Sequence, residues 1–140
     1  MGVPKDYPRA VSLFEKACDD EFAAACTGLG QMYRDGKGVA QDDTNASSLS
    51  ERGCDLGDLN GCLFGVVHHD PLHGSVKDST RWAASMEKGC DLGAGNLCRL
   101  VGSVYALGVF GLAKDADRAN ELFKKGCLHD DKEACDLIKR

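Results

Sequence analysis

Eight cysteines fall in four pairs, Cys18 with Cys26, Cys54 with Cys62, Cys90 with Cys98 and Cys127 with Cys135, and every pair reads C-x7-C. The first members of successive pairs stand 36, 36 and 37 residues apart. A period of this size marks a chain built from one small unit copied along itself, each copy completing its core against its neighbour. The constraint moves the question of function from a buried cleft to a surface.

One copy can be read from Cys26 to Cys54. Cys26, Leu29, Gly30 and Tyr33 recur at i, i+3, i+4 and i+7, one face of a helix. Asp35-Gly36-Lys37-Gly38 ends it, since glycine supplies the left-handed residue past a helix terminus. Asp42 is a suitable N-cap for a second helix, which carries Ala46, Leu49 and Gly53 on one face and ends near Cys54. Each copy is thus a helical hairpin, helix A followed by helix B. The columns hold along the chain: Asp6, Asp42, Asp78 and Asp115 at the cap, then Ala10, Ala46, Trp82 and Ala119, then Leu13, Leu49, Ser85 and Leu122, then Ala17, Gly53, Gly89 and Gly126. Glycine inside a helix costs about 1 kcal/mol relative to alanine, so its recurrence implies close helix approach.

The expected fold is therefore an all-α, αα-hairpin solenoid of about eight helices in one domain, residues 1–140. It comprises a partial copy at 1–25, copies at 26–61, 62–97 and 98–134, and a short terminal helix at 135–140. Gly2-Val3-Pro4-Lys5-Asp6 aligns with Gly38-Val39-Ala40-Gln41-Asp42, so the chain opens partway through a copy. MGVPKDYPRA has no apolar stretch and is not a signal peptide; an export signal is expected upstream. The same truncation would also suit a piece of a longer array.

Three readings of the cysteines stand side by side. Structural zinc sites use tighter spacing, two to four residues between cysteines. Free thiols can pack as small apolar groups, but chance would not pair all eight. Disulfides are the favoured reading, and geometry restricts where they can form. Residues eight apart on one helix are separated by about 12 Å, whereas a disulfide needs Cα atoms within about 7 Å. The first cysteine must then close helix B and the second open the next helix A, with the turn at Asp55-Leu56-Gly57 or Asp91-Leu92-Gly93 between them. Such bonds staple successive hairpins and imply an oxidising compartment, periplasmic or extracellular.

Composition narrows the partners. The chain has 17 Lys and Arg against 22 Asp and Glu, a net charge of −5, with no long basic run, so nucleic acid is not expected. No apolar run approaches the roughly 20 residues of a membrane span.

These columns resemble the Sel1-like repeat, and within it the cysteine-rich proteins of the Helicobacter type. The resemblance is carried by Ala10-Val11-Ser12-Leu13-Phe14-Glu15-Lys16-Ala17-Cys18, by Cys26-Thr27-Gly28-Leu29-Gly30-Gln31-Met32-Tyr33, and by Gly36-Lys37-Gly38-Val39. It implies a right-handed superhelix related to tetratricopeptide arrays. The middle copy departs from the pattern: Gly65 stands where Leu29 stands, His69 where Tyr33 stands, and Pro71 interrupts the end of helix A. The third copy has one inserted residue around Val109-Phe110-Gly111.

The resemblance also implies binding and weak hydrolysis of β-lactams as an alternative function. Ser85-Met86-Glu87-Lys88 supplies one S-x-x-K, but the S-D-N and K-T-G elements that complete serine β-lactamase chemistry are absent from the sequence. Ser85 sits in the Leu13/Leu49 column and is expected to face a neighbouring helix; no catalytic residue is assigned. His68, His69, Asp70 and His73 form the densest group of metal-ligand types. Adjacent histidines on a helix point about 100° apart, so a degenerate copy with a polar loop is favoured, and no metal or other cofactor is expected. Trp82 is expected to fill space left by Gly65 and Ser85 rather than to stack on a ligand.

The concave side of a hairpin array is lined by its A helices. The A-helix positions off the Cys26/Leu29/Tyr33 face are Thr27, Gln31 and Arg34, then Leu63, Val67 and Asp70, then Arg99, Ser103 and Ala106. This row is the expected contact surface for a protein or peptide partner, and the chain is expected to be a monomeric, secreted or periplasmic interaction module.

Overall fold

A computed structural model describes residues 6–74 and 77–138. Among them lie eight α-helices and no strand: α1 (Tyr7–Asp19), α2 (Ala23–Asp35), α3 (Asp43–Asp55), α4 (Leu59–His68), α5 (Ser79–Asp91), α6 (Gly95–Leu107), α7 (Ala116–Leu128) and α8 (Lys132–Leu137). The odd-numbered helices are the B helices and the even-numbered ones the A helices. The alignment of Gly2 to Lys5 with the first internal copy lies outside the described residues, as do Lys139 and Arg140 of the expected terminal helix. The chain divides into two compact units, Met1–Phe64 and Gly65–Arg140, with the boundary inside α4.

The B helices begin as the cap column requires. The carboxylates of Asp6, Asp42, Asp78 and Asp115 accept hydrogen bonds from the backbone N–H groups of Arg9, Asn45, Arg81 and Arg118. Each satisfies one donor that a helix start leaves without an intrahelical partner.

Every B helix ends in the same device. The N–H groups of Phe22, Asp58, Ala94 and Asp131 donate to the carbonyls of Ala17, Gly53, Gly89 and Gly126, a six-to-one closure around one left-handed residue. That residue is Gly57 in one copy and Gly93 in another, at φ 106° and 103°. Glu21 and Asp130 hold the same position in the outer copies, at φ 66° and 64°. The closure is compact enough that each A helix starts three residues before its cysteine, at 23, 59, 95 and 132. The repeat starts expected at 26, 62, 98 and 135 therefore fall within the first turn of a helix.

The turns bring the cysteines together. All four pairs are disulfides with Cα–Cα distances of 4.6 to 4.7 Å, and no described cysteine is free. The first member of each pair lies in the last turn of a B helix and the second is the fourth residue of the A helix, as the distance limit demands.

In the first unit, Val11, Leu29 and Met32 form a buried cluster with Tyr7, Ala10, Tyr33, Val39 and Leu49 packed around it. A second cluster surrounds the Cys18–Cys26 bond, with Ala25, Ala17 and Leu49. Leu13 heads the same column as Leu49 yet is exposed. In the second unit Met86, Leu97, Val101, Val104, Leu122 and Phe123 are buried.

Helix α4 is three residues shorter than α2 and α6. Pro71 accounts for the early stop: its ring disfavours the helical conformation at Asp70, so the helix cannot continue to the length of its companions. The chain still rejoins the pattern, because the Asp78 N–H donates to the His69 carbonyl, as Asp42 does to Tyr33 and Asp115 to Tyr105.

Candidate functional site

The A-helix row separates into exposed and committed positions. In the first unit Thr27 is buried, its hydroxyl donating to the Ala23 carbonyl at 3.4 Å on the side where α3 presents Gly53. It is withdrawn from any partner, contrary to expectation, because Gly53 lets the two helices approach over it. Gln31 and Arg34 are exposed. Arg34 pairs with Asp35 at 3.0 Å and lies 5.6 Å from the centre of the Phe64 ring. Leu63 is also exposed.

In the second unit Val67 is 72% exposed. Arg99 is spent within the fold, its guanidinium bonded to Asp131 at 3.1 Å and to Glu133 at 3.2 Å. Ser103 donates to the Arg99 carbonyl at 2.9 Å, and Ala106 is half-buried. The row thus supplies fewer open positions than its spacing suggests. Leu100 and Leu107, one position along from Arg99 and Ala106, are the exposed apolar side chains of α6. With Ser103 they recur at i, i+3 and i+7, a signal the sequence did contain.

A groove of about 380 Å³ opens in this unit, with Asp70, Trp82, Leu100, Ser103, Leu107 and Phe110 among its walls. Trp82 does not fill a void beside Gly65. A side chain at Gly65 would run directly into Ser85, so α4 and α5 already touch there. Trp82 instead meets Phe110 edge to face, ring centres 5.4 Å apart and planes at 87°. Phe110 stands at the one-residue insertion of the third copy.

Ser85 is buried, and its hydroxyl hydrogen goes to the Arg81 carbonyl at 2.9 Å. A serine with its one proton committed to its own helix is not presented to a base or a substrate. The histidines are dispersed. His68 and His69 are buried with rings 4.9 Å apart and edge-on, while His73 is 82% exposed and 3.7 Å from Asp70. Among the described residues no group of three or more His, Cys, Asp or Glu could hold a metal ion. None of the described helices is long and apolar enough to cross a membrane.

Charge is organised along the B helices of the second unit. Arg118 reaches Glu87 at 2.6 Å and Lys125 reaches Asp91 at 2.9 Å, so α7 is tied to α5 twice. The guanidinium also lies 4.9 Å from the centre of the Tyr105 ring. Its bond to Glu87 holds the Arg118 pKa above its usual range, and burial pushes the Tyr105 hydroxyl up.

Three carboxylates are held below their ordinary pKa: Asp70, Asp131 and, through its bond to Arg34, Asp35. Asp70 accepts the backbone N–H groups of Leu72, the larger influence, and of His73. Asp131 accepts the N–H of Ala134 as the cap of α8, with Arg99 adding to the effect. A depressed carboxylate pKa stabilises the fold above the unfolded value and loses that contribution as pH falls through the folded one. The cap of α8 should therefore persist at pH 5 and release below the ordinary value of 3.8. An NMR titration of the Ala134 amide should show a midpoint under 3.8; a midpoint at or above it would contradict the cap.

The model of the Sel1 repeat matches residues 1–21, 23–58 and 97–131. The gap covers the copy in which Gly65, His69 and Pro71 depart from the pattern. No curated protein sequence matches the chain. Among solved structures, a Sel1 repeat protein from Oxalobacter formigenes shares 25% identity over 95% of this chain and 54% of its own, with a TM-score of 0.61. A protective antigen of uropathogenic Escherichia coli displaying an SLR fold gives 21% identity over 96% of this chain and 29% of its own, TM-score 0.60. Helicobacter pylori cysteine rich protein B gives 23% identity over 98% of both chains, TM-score 0.55. The chain thus spans about half the length of the first of these and under a third of the second. The similarities establish an αα-hairpin array of the solenoid class.

Proposed function

This chain belongs to the Sel1 repeat family, and on that premise we propose that it is an extracytoplasmic protein-interaction module, secreted or periplasmic, that binds a protein or peptide partner through its A helices. Sel1 repeat proteins are generally interaction modules rather than enzymes. One observation carries the reading furthest. In the second unit Leu100, Leu107 and Phe110 expose large apolar side chains around one groove, from α6 and the loop that follows. Apolar surface that folding leaves exposed in a cluster marks a place where another molecule binds. Four disulfides support an oxidising compartment. Nothing about Ser85 favours the β-lactam alternative.

The test is reconstitution of a complex from oxidised protein. Partners captured from a secreted or periplasmic fraction should re-form a complex of fixed stoichiometry on size exclusion, and Leu107→Asp, at an exposed position of the groove wall, should weaken it without lowering Tm. Failure of any captured protein to re-form a complex of fixed stoichiometry, or turnover of a chromogenic β-lactam that is lost in Ser85→Ala, would overturn the proposal.

A further inference from the structure

Departures from the repeat pattern, scattered in sequence, meet at one place in the second unit. Trp82 stands in an alanine column, Phe110 lies at the one-residue insertion, and Pro71 cuts α4 short so that Asp70 sits in a turn. All three alter the same groove: Trp82 and Phe110 face each other edge to face across 28 residues of chain, and Asp70 is on the wall beside them. Packing of the core does not ask for any of this, since the companion copies manage with alanine in the Trp82 column.

Phe110 carries a second sign. Its backbone lies at φ 58°, in the left-handed region. A residue with a side chain is disfavoured there by roughly 1–2 kcal/mol. The residue stays 38% exposed, with its ring packed on Trp82, so the strained backbone holds an aromatic edge at the groove mouth. Strain of this kind persists where the surroundings hold it and concentrates at binding sites.

The groove also has a polarity. Its lining is apolar apart from Asp70 and Ser103, and the Ser103 hydroxyl is turned to the Arg99 carbonyl. Asp70 is the single charged group. Its Oδ1 accepts the N–H groups of Leu72 at 2.7 Å and His73 at 3.3 Å, which fixes the carboxylate in place. Its Oδ2 faces the exposed His73 ring at 3.7 Å, a neighbour that a guest can displace. An apolar trough with one fixed anion at its wall complements a guest with an apolar body and a positive charge. Leu100 and Leu107, both exposed, carry the groove's apolar wall along two turns of α6, and a segment lying along that wall covers both.

We propose that this groove docks a peptide segment of the partner in which a large apolar side chain stands within a few residues of a lysine or arginine. The apolar side chain lies against Trp82 and Phe110, and the cation meets Asp70. The proposal rests on the interaction-module reading and narrows it to one site and one partner chemistry.

Trp82 is the only tryptophan in the chain, so its emission reports the groove directly. The probes are three pools of acetylated, amidated octapeptides, random except at two positions: Phe-x-Lys, Phe-x-Glu and Ser-x-Lys. The Phe-x-Lys pool should shift the emission saturably, and the other two should need at least tenfold higher concentration. Asp70→Lys should invert the preference to Phe-x-Glu, and Leu107→Asp, at a 70% exposed position, should weaken all binding tenfold or more. Phe110→Gly removes the ring from the groove and should lower affinity about tenfold; Leu107→Asp, at an exposed position, should do so with Tm unchanged.

Equal response to the three pools, no saturable response, or phenethylammonium binding as tightly as the Phe-x-Lys pool would each overturn the proposal. A stoichiometric partner whose capture is indifferent to both Asp70→Lys and Leu107→Asp would overturn the groove and leave the interaction-module reading standing. Absence of any partner together with absence of peptide binding would end both.

Discussion

Exposed to excess reductant at 37 °C, the protein should lose its helical far-UV signal and unfold. Each disulfide closes a loop of about eight residues, and the chain-entropy relation gives about 2.5 kcal/mol for a loop of that size. Four such terms are comparable with the whole 5–15 kcal/mol by which a domain is ordinarily stable. Position should grade the effect. Cys90 and Cys98 are both fully buried between α5 and α6, whereas Cys127 and Cys135 are partly exposed and hold only the six-residue α8. The pair Cys90→Ala with Cys98→Ala should therefore lower stability by about 2.5 kcal/mol or more, since cavity loss adds to the entropy term. The pair Cys127→Ala with Cys135→Ala should cost less and should mainly free α8. Urea unfolding of the two double variants measures the difference. A reduced protein with the same midpoint as the oxidised one would refute the staple role.

Gly53→Val should be strongly destabilising, at about 3 kcal/mol, and even Gly53→Ala should destabilise by about 1–2 kcal/mol. Helix propensity predicts the opposite sign for alanine, a gain of about 1 kcal/mol. The structure decides against propensity. A Cβ at Gly53 would strike the Thr27 hydroxyl and lie 3.0 Å from the Ala23 carbonyl oxygen and 3.1 Å from the Thr27 nitrogen. The hydroxyl can turn away; the backbone of α2 cannot. Thermal unfolding of Gly53→Ala alone and combined with Thr27→Ala separates the two contributions. If Gly53→Ala raises Tm, the close approach of α2 and α3 is wrong.

These two expectations also mark how far the sequence could be read. The four aspartate caps, the helix-ending glycines and the pairing of each cysteine with the one eight residues on were all legible, because each depends on a span of eight residues or fewer. Thr27 was misread for the complementary reason. Helical spacing places it off the apolar face, but Gly53, 26 residues later, has no side chain and lets α3 close over it. Arg99 looked like an open contact and is drawn off by Asp131 and Glu133, more than thirty residues away.

The groove was the least legible feature. Trp82 was visible as an outlier in its column, and the insertion near Phe110 was visible as a break in the period, but nothing local connected them. A 36-residue period states which residues occupy equivalent places and so determined the hairpins, their caps and their staples. Which side chains remain open to a partner depends on helices approaching across one or more copies, through contacts between residues 26 to 34 positions apart. Those contacts are set by the sizes of groups that meet only in three dimensions, a glycine opposite a threonine or a tryptophan opposite a looped phenylalanine, and only the tertiary structure decided them.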